Sequence, residues 1–199
     1  YSPDGTKLLI TLGYYEGASS AIYYPARNAL VRLTGGEGAL ICCDQTEWSA
    51  DGSGFYSANR SMGMFNSGLW KVDAATGAVT TLFTSNYETS TFNYADSPYL
   101  APDGQLYYFF LTTNAELNSR TPLQLVHSAP DGITGRAVLR NDTFELMNEA
   151  LWAPDASFVV VAFAPIQDVY FGGQAEVVYL DGSPSVVLTT YAQSMKWGP

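Results

Sequence analysis

The sequence predicts an all-β chain built from four copies of one antiparallel unit, and three observations carry that prediction. The first is composition. With 14 Tyr, 10 Phe and 18 Gly in 199 residues and only 14% charged side chains, the balance is that of half-buried pleated strands joined by tight turns. The second is a turn motif that returns at a near-constant interval. Tyr1-Ser2-Pro3-Asp4-Gly5 recurs as Trp48-Ser49-Ala50-Asp51-Gly52, as Leu100-Ala101-Pro102-Asp103-Gly104 and as Trp152-Ala153-Pro154-Asp155-Ala156, with Trp197-Gly198-Pro199 as a partial last copy. The repeats therefore run approximately over residues 1–47, 48–99, 100–151 and 152–196. The third is the near absence of helical periodicity, since residues 145–151 are the only helix-like stretch.

Each copy of the motif has the chemistry of a sharp reversal rather than of a ligand set. Pro3, Pro102 and Pro154 preset φ at the first corner. Asp4, Asp51, Asp103 and Asp155 can bond their own nearby backbone, and Gly5, Gly52 and Gly104 accept the positive φ that follows. Ala156 stands where the other copies have glycine, so the fourth turn is expected to be strained or of another type.

The strands follow in order. After each turn comes an apolar strand, over residues 7–14, 54–58, 106–112 and 158–164. Leu106-Tyr107-Tyr108-Phe109-Phe110-Leu111 and Phe158-Val159-Val160-Val161-Ala162-Phe163 are apolar without alternation, so both of their faces must be covered. A loop of variable length leads to a hairpin. These hairpins span residues 29–43 around Gly35-Gly36, 68–83 around Ala74-Ala75-Thr76-Gly77, 123–140 around Asp131-Gly132, and 176–189 around Asp181-Gly182. A short stretch such as residues 147–152 then enters the next motif. Four antiparallel strands, A to D, in each period of about 40–50 residues make a β-propeller blade. The expected fold is a single β-propeller region of four-stranded blades, about four in this chain, with Trp48, Trp152 and Trp197 as packing plugs between them.

The aromatic-Ser/Ala-Pro-Asp-Gly unit at the start of strand B resembles the repeat of the TolB-like β-propellers, also found in the propeller domains of prolyl-oligopeptidase-type peptidases. The resemblance covers the whole chain. Such propellers usually have six or more blades, so it implies a partial propeller cut from a longer one, consistent with a chain that opens on Tyr1 rather than Met. Two other arrangements are open: residues 192–199 could supply the inner strand of the first blade, or a second copy could cover the open edges. A bacterial, extracytoplasmic location (periplasmic, cell-surface or secreted) is implied by the resemblance alone.

Charge and motifs exclude several functions. Nine Lys and Arg against 19 Asp and Glu give a net charge of -10, which leaves no cationic surplus for phosphate backbones or anionic membranes. No apolar run reaches the roughly 18 residues of a spanning helix. The single His127 has no Gly-x-Ser-x-Gly elbow to serve. Cys42-Cys43 are adjacent and read as small apolar strand residues. No catalytic, cofactor-binding or metal-binding constellation is visible. Asn59-Arg60-Ser61 and Asn141-Asp142-Thr143 fit the glycosylation triplet.

In propellers that this chain resembles, the B–C and D–A loops share one face. Mapped onto it, that face gathers Tyr14, Tyr15, Tyr23 and Tyr24 from the first repeat, then Phe65, Tyr87, Phe92 and Tyr94. Phe144, Tyr170 and Phe171 complete it, with Glu16, Glu88, Asp96, Asp142, Glu145 and Asp168 among them. Such a surface suits a basic protein segment or a saccharide, unless the aromatics fold back over the blade edges. The leading expectation is a non-catalytic module binding a protein partner through this face, whether a separate protein, further blades or a second copy. The alternatives are the gating propeller of a prolyl-oligopeptidase-like serine peptidase whose catalytic domain lies elsewhere, and a carbohydrate-binding propeller.

Overall fold

A computed structural model describes residues 1–14, 17–34, 45–59, 66–116, 122–166 and 171–198. Within them the chain forms four antiparallel sheets in sequence order. The first blade is β1 (Leu8–Tyr14), β2 (Gly17–Tyr24) and β3 (Ala29–Arg32). The second is β4 (Gln45–Trp48), β5 (Gly54–Asn59), β6 (Gly68–Asp73) and β7 (Val79–Thr84). The third is β8 (Phe92–Leu100), β9 (Leu106–Thr113), β10 (Gln124–Ser128) and β11 (Ala137–Val138). The fourth is β12 (Met147–Trp152), β13 (Phe158–Phe163), β14 (Gly173–Tyr179) and β15 (Val186–Ala192). In the last three blades each strand pairs with its sequence neighbours, so β4, β8 and β12 are inner strands and β7, β11 and β15 outer ones. This is a partial β-propeller.

The run of apolar residues in the second strand of each blade finds its cause here. Every residue of β5 is buried, and Val159, Val160, Val161 and Ala162 of β13 are buried on alternating faces. The core consists of layers between blades. Ile22, Phe55, Trp70 and Val72 fill the layer between the first and second; Tyr56, Leu69, Leu106 and Tyr108 the next; Tyr94, Phe109, Trp152 and Val161 the third.

Tyrosines stitch these layers. Tyr24 Oη donates to the carbonyl of Ala74 at 2.8 Å, Tyr56 Oη to Pro130 at 3.1 Å and Tyr99 Oη to Pro154 at 2.8 Å. Each donor thus reaches a turn of the following blade. A buried phenol needs a partner for its hydroxyl, and the turn carbonyls provide one. Burial, the largest cause, pushes the Tyr56 phenol up to about 12.

The four motif turns share one geometry. Gly52 N–H donates to Ser49 O at 2.8 Å, Gly104 N–H to Ala101 O at 2.9 Å, and Ala156 N–H to Ala153 O at 2.9 Å. Ala156 takes φ +55°, beside +67°, +64° and +82° at Gly5, Gly52 and Gly104. The fourth turn therefore keeps the same type and carries the left-handed cost, about 1–2 kcal/mol for a residue with a Cβ.

Among the described residues the first hairpin turns at Pro25–Arg27, where a 3₁₀ turn closes on Asn28 at φ +47°; the turn expected at Gly35-Gly36 lies outside the described residues. Residues 35–44, with Cys42 and Cys43, lie outside the described residues. Residues 147–152 form β12, the strand expected to enter the fourth motif, so the helix-like spacing over 145–151 is not realised as a helix; a bulge lies between Met147 and Glu149. Beyond β15 the chain lies against the fourth blade: Met195 N–H donates to Glu149 Oε1, and Trp197 Nε1 donates to Trp152 O at 2.8 Å. Among the described residues the first sheet has three strands, and no pairing joins residues 193–198 to β1.

Candidate functional site

The two ends of the blades carry different chemistry. At one end lie the A–B and C–D turns, at the other the B–C and D–A loops. On the tight-turn end the motif carboxylates cap their own turns. Asp51 Oδ1 accepts from Ser53 N–H at 2.9 Å and from Ser49 Oγ at 2.7 Å. Asp155 Oδ1 accepts from Ser157 N–H at 3.0 Å, and Asp103 Oδ1 from Gln105 N–H at 2.8 Å. The Ser53 N–H and then the Ser49 hydroxyl hold the Asp51 carboxyl down to about 2. The Ser2 hydroxyl, foremost among several donors, holds Asp4 well below the usual carboxylate range. The C–D turns use the same device: Asp131 Oδ1 accepts from Ile133 N–H at 2.9 Å, and Asp181 Oδ1 from Ser183 N–H at 2.9 Å. Ser128-Ala129-Pro130-Asp131-Gly132 is in fact a further copy of the motif, legible in the sequence but out of phase with the repeat.

The structure redistributes the aromatics assigned to the loop-rich end. Tyr23 and Tyr24 belong to the opposite end, because Tyr23 pairs with Leu8 and Tyr24 closes onto the second blade's turn at Ala74. Phe92, Tyr94 and Phe144 are buried in the layer between the third and fourth blades. Phe92 and Tyr94 are thereby withdrawn from contact with a partner. Asp96 is likewise buried, and Ser97 Oγ donates to it at 2.8 Å. Tyr14 ends β1 at the loop-rich end. Tyr15, Phe65 and Tyr170 lie outside the described residues. What remains on the surface is Tyr87 at 54% exposure and Phe171 at 73%, joined by Ile166 at 61%. Tyr87 packs edge-on against the buried Phe92 ring at 5.5 Å, which fixes it in place while leaving one face to solvent.

A residue that sequence patterning gave no reason to single out stands between the inner strands. Glu47 of β4 lines a small hollow with Thr46, Ser97, Pro98, Ala150 and Trp152, contributed by the inner strands of three blades. The hollow holds about 10 Å³, room for one water. Glu47 reaches solvent on one side, but protein crowds it on the others, and this desolvation pushes its carboxyl up to about 7. Only the convergence of β4, β8 and β12 creates that environment.

His127 is engaged structurally. Its ring stacks on Tyr107 with centroids 6.1 Å apart, and Nδ1 lies 3.2 Å from Gln105 Oε1. Among the described residues no group of three or more His, Cys, Asp or Glu side chains is placed to hold a metal ion. No helix of the described residues is long and apolar enough to cross a membrane.

No family model and no curated protein matches the sequence. Solved structures do match the fold. TolB from Acinetobacter baumannii superposes with a TM-score of 0.58 at 18% identity, over 92% of this chain and 40% of that one. Oligogalacturonate lyase from Vibrio parahaemolyticus gives 0.60 at 17% identity, over 96% and 51%. A prolyl endopeptidase gives 0.51 at 15% identity, over 98% and 26%. The chain thus spans between about a quarter and a half of these proteins, and the likeness is one of architecture. In phase, blade construction and neighbours, this chain has a β-propeller fold similar to that of TolB.

Proposed function

We propose that this chain is a non-catalytic interaction module of an extracytoplasmic protein, and that it engages a protein partner through the loop-rich end of its blades. The observation that carries the reading is the contrast between the two ends. On the tight-turn end Tyr24, Tyr56 and Tyr99 stitch blades together and the turn aspartates cap their own turns, although Tyr1 and Ile133 are exposed there. On the loop-rich end Tyr87, Ile166 and Phe171 are held out to solvent, and large rigid aromatics are the side chains that anchor interfaces. The capped aspartates and the stacked His127 support a non-catalytic role, since those polar groups already have structural tasks.

Replacing Tyr87 and Phe171 together by Ser, in the protein that carries this chain, tests the reading. Both side chains are more than half exposed and Tyr87 meets the core only through its edge contact with Phe92, so the melting temperature falls by no more than about 4 °C. The native complex, followed by native electrophoresis and sedimentation, is expected to weaken at least tenfold, the loss of one interface anchor or more. A complex of unchanged size and affinity would contradict the assignment.

A further inference from the structure

The outer strand of the third blade pairs for only two residues, Ala137–Val138, before the chain leaves the sheet. It returns at Phe144, which bridges to Leu123. The excursion is pinned by Arg140, whose side chain is 7% exposed. Arg140 Nε and Nη2 donate to the Asp142 carboxylate, and Nη1 donates to Tyr179 O at 2.6 Å and Ser183 O at 2.7 Å on the fourth blade. Because the outer strand is cut short, the facing flank of the fourth blade is left uncovered toward its edge. Two hollows result. One of about 350 Å³ is lined by Asp142, Thr143, Phe144, Glu145, Phe163 and Glu176, with Ser185 at its far end. The other, of about 340 Å³, is lined by Phe163, Pro165, Gln174 and Tyr191 among others. Phe163 belongs to both, so they form one groove that opens at the loop-rich end.

The charges in the groove are uneven. The nearby Arg140 is buried outside the lining, and Asp142 together with two carbonyls takes up its donors. Glu145 and Glu176 face no cation among the described residues; Glu176 accepts only from Gln174 Nε2, at 2.6 Å. The floor beside them is the Phe163 ring, stacked on Phe144 with the planes 16° apart. Two carboxylates over an aromatic floor suit a guanidinium, which bonds acids in its plane and stacks through its face. The adjoining hollow, walled by Pro165 and the exposed Tyr191, suits an apolar side chain next to it.

We propose that the groove between the third and fourth blades receives an extended peptide segment in which an arginine is flanked by apolar residues. The arginine lies between Glu145 and Glu176 over Phe163, and a neighbouring apolar side chain enters the second hollow. This deepens, and rests on, the partner-binding reading above.

The probes are the fluorescein-labelled peptide Leu-Val-Arg-Val-Leu and the same peptide with citrulline for arginine, which keeps the shape and removes the charge. By fluorescence polarisation the arginine peptide is expected to bind about tenfold tighter than the citrulline one. The E145Q/E176Q double variant is expected to abolish that difference while keeping its melting temperature. Amide shifts on binding are expected at residues 142–145 and 174–176. Equal affinity of the two peptides, an undiminished preference in the double variant, or no binding up to about 5 mM, where association would be worth less than about 4 kcal/mol, would overturn the groove assignment. If the peptides fail while the Tyr87/Phe171 variant still loses its complex, the groove falls and the loop-rich interface stands. If both fail, the interaction reading falls with it.

Discussion

Trp152→Ala is expected to destabilise the chain by about 3–5 kcal/mol, the range for removing a large aromatic from a core that cannot collapse into the gap. Trp152 is 5% exposed and lies where the third and fourth blades meet. Its ring stacks on Tyr99 at 5.6 Å and tilts against Tyr107 and Phe109 at 6.1 and 6.2 Å. Its indole Nε1 donates to Ser97 O at 2.9 Å, satisfying a carbonyl at the bulge of β8. Its own carbonyl accepts from Trp197. Truncation removes the shared wall of an entire layer and orphans a buried acceptor, which alone costs about 1–3 kcal/mol. Trp152→Phe, which keeps one ring and loses the second ring and the donor, is expected to fall between the parent and the alanine variant. Urea unfolding at constant slope measures both. A loss under about 1 kcal/mol for the alanine variant would mean that the two blades do not depend on each other.

The second large effect is one of pH and sits on Glu47. Its carboxyl is pushed up to about 7 in the fold by desolvation, against about 4.3 in an unfolded chain. The folded state therefore binds the proton more tightly, so stability falls as pH rises from about 4.3 to about 7, and the full cost of the ionised group remains above that. The capped turn aspartates act in a separate window. Asp51, held down to about 2, contributes stability that is lost only as pH falls below its unfolded value near 3.9. Glu47→Gln is thus expected to match the parent near pH 4.5 and to melt higher at pH 7.5. Melting curves at both pH values check it. A glutamine variant that gains the same at both, or that is less stable at pH 7.5, would show that the inner strands do not desolvate the acid of β4.

The parts of this fold that were legible from sequence are those with local causes. A Pro-Asp-Gly corner needs only its own backbone and side chains, so its phase reported the blades and their order. Unalternating strands such as residues 158–163 report burial on both faces whatever lies on either side. The hairpin at Pro25–Arg27 was not legible because Pro25 and Asn28 close a tight turn without glycine, the residue that marks such turns most strongly. The aromatics misled for a different reason. Tyr24 and Tyr94 look alike in sequence, yet one donates across a blade boundary and the other fills a layer. Their fate depends on where the inner strand starts, and β8 begins at Phe92, earlier than the motif at Leu100 suggests. Glu47 and the Arg140 clamp depend on contacts between residues far apart in the chain. No local pattern announces them.

The most direct test of the central claim places a photo-crosslinking side chain at four exposed positions, two at each end of the blades. Tyr87 and Phe171 sample the loop-rich end; Ala50 and Pro102, at equivalent corners of the motif turns, sample the other. Illumination of the protein in its native setting is expected to give a discrete adduct with a protein partner from Tyr87 and Phe171 and none from Ala50 and Pro102. Adducts from Ala50 and Pro102 instead, or from none of the four, would contradict the claim that this propeller works through its loop-rich end.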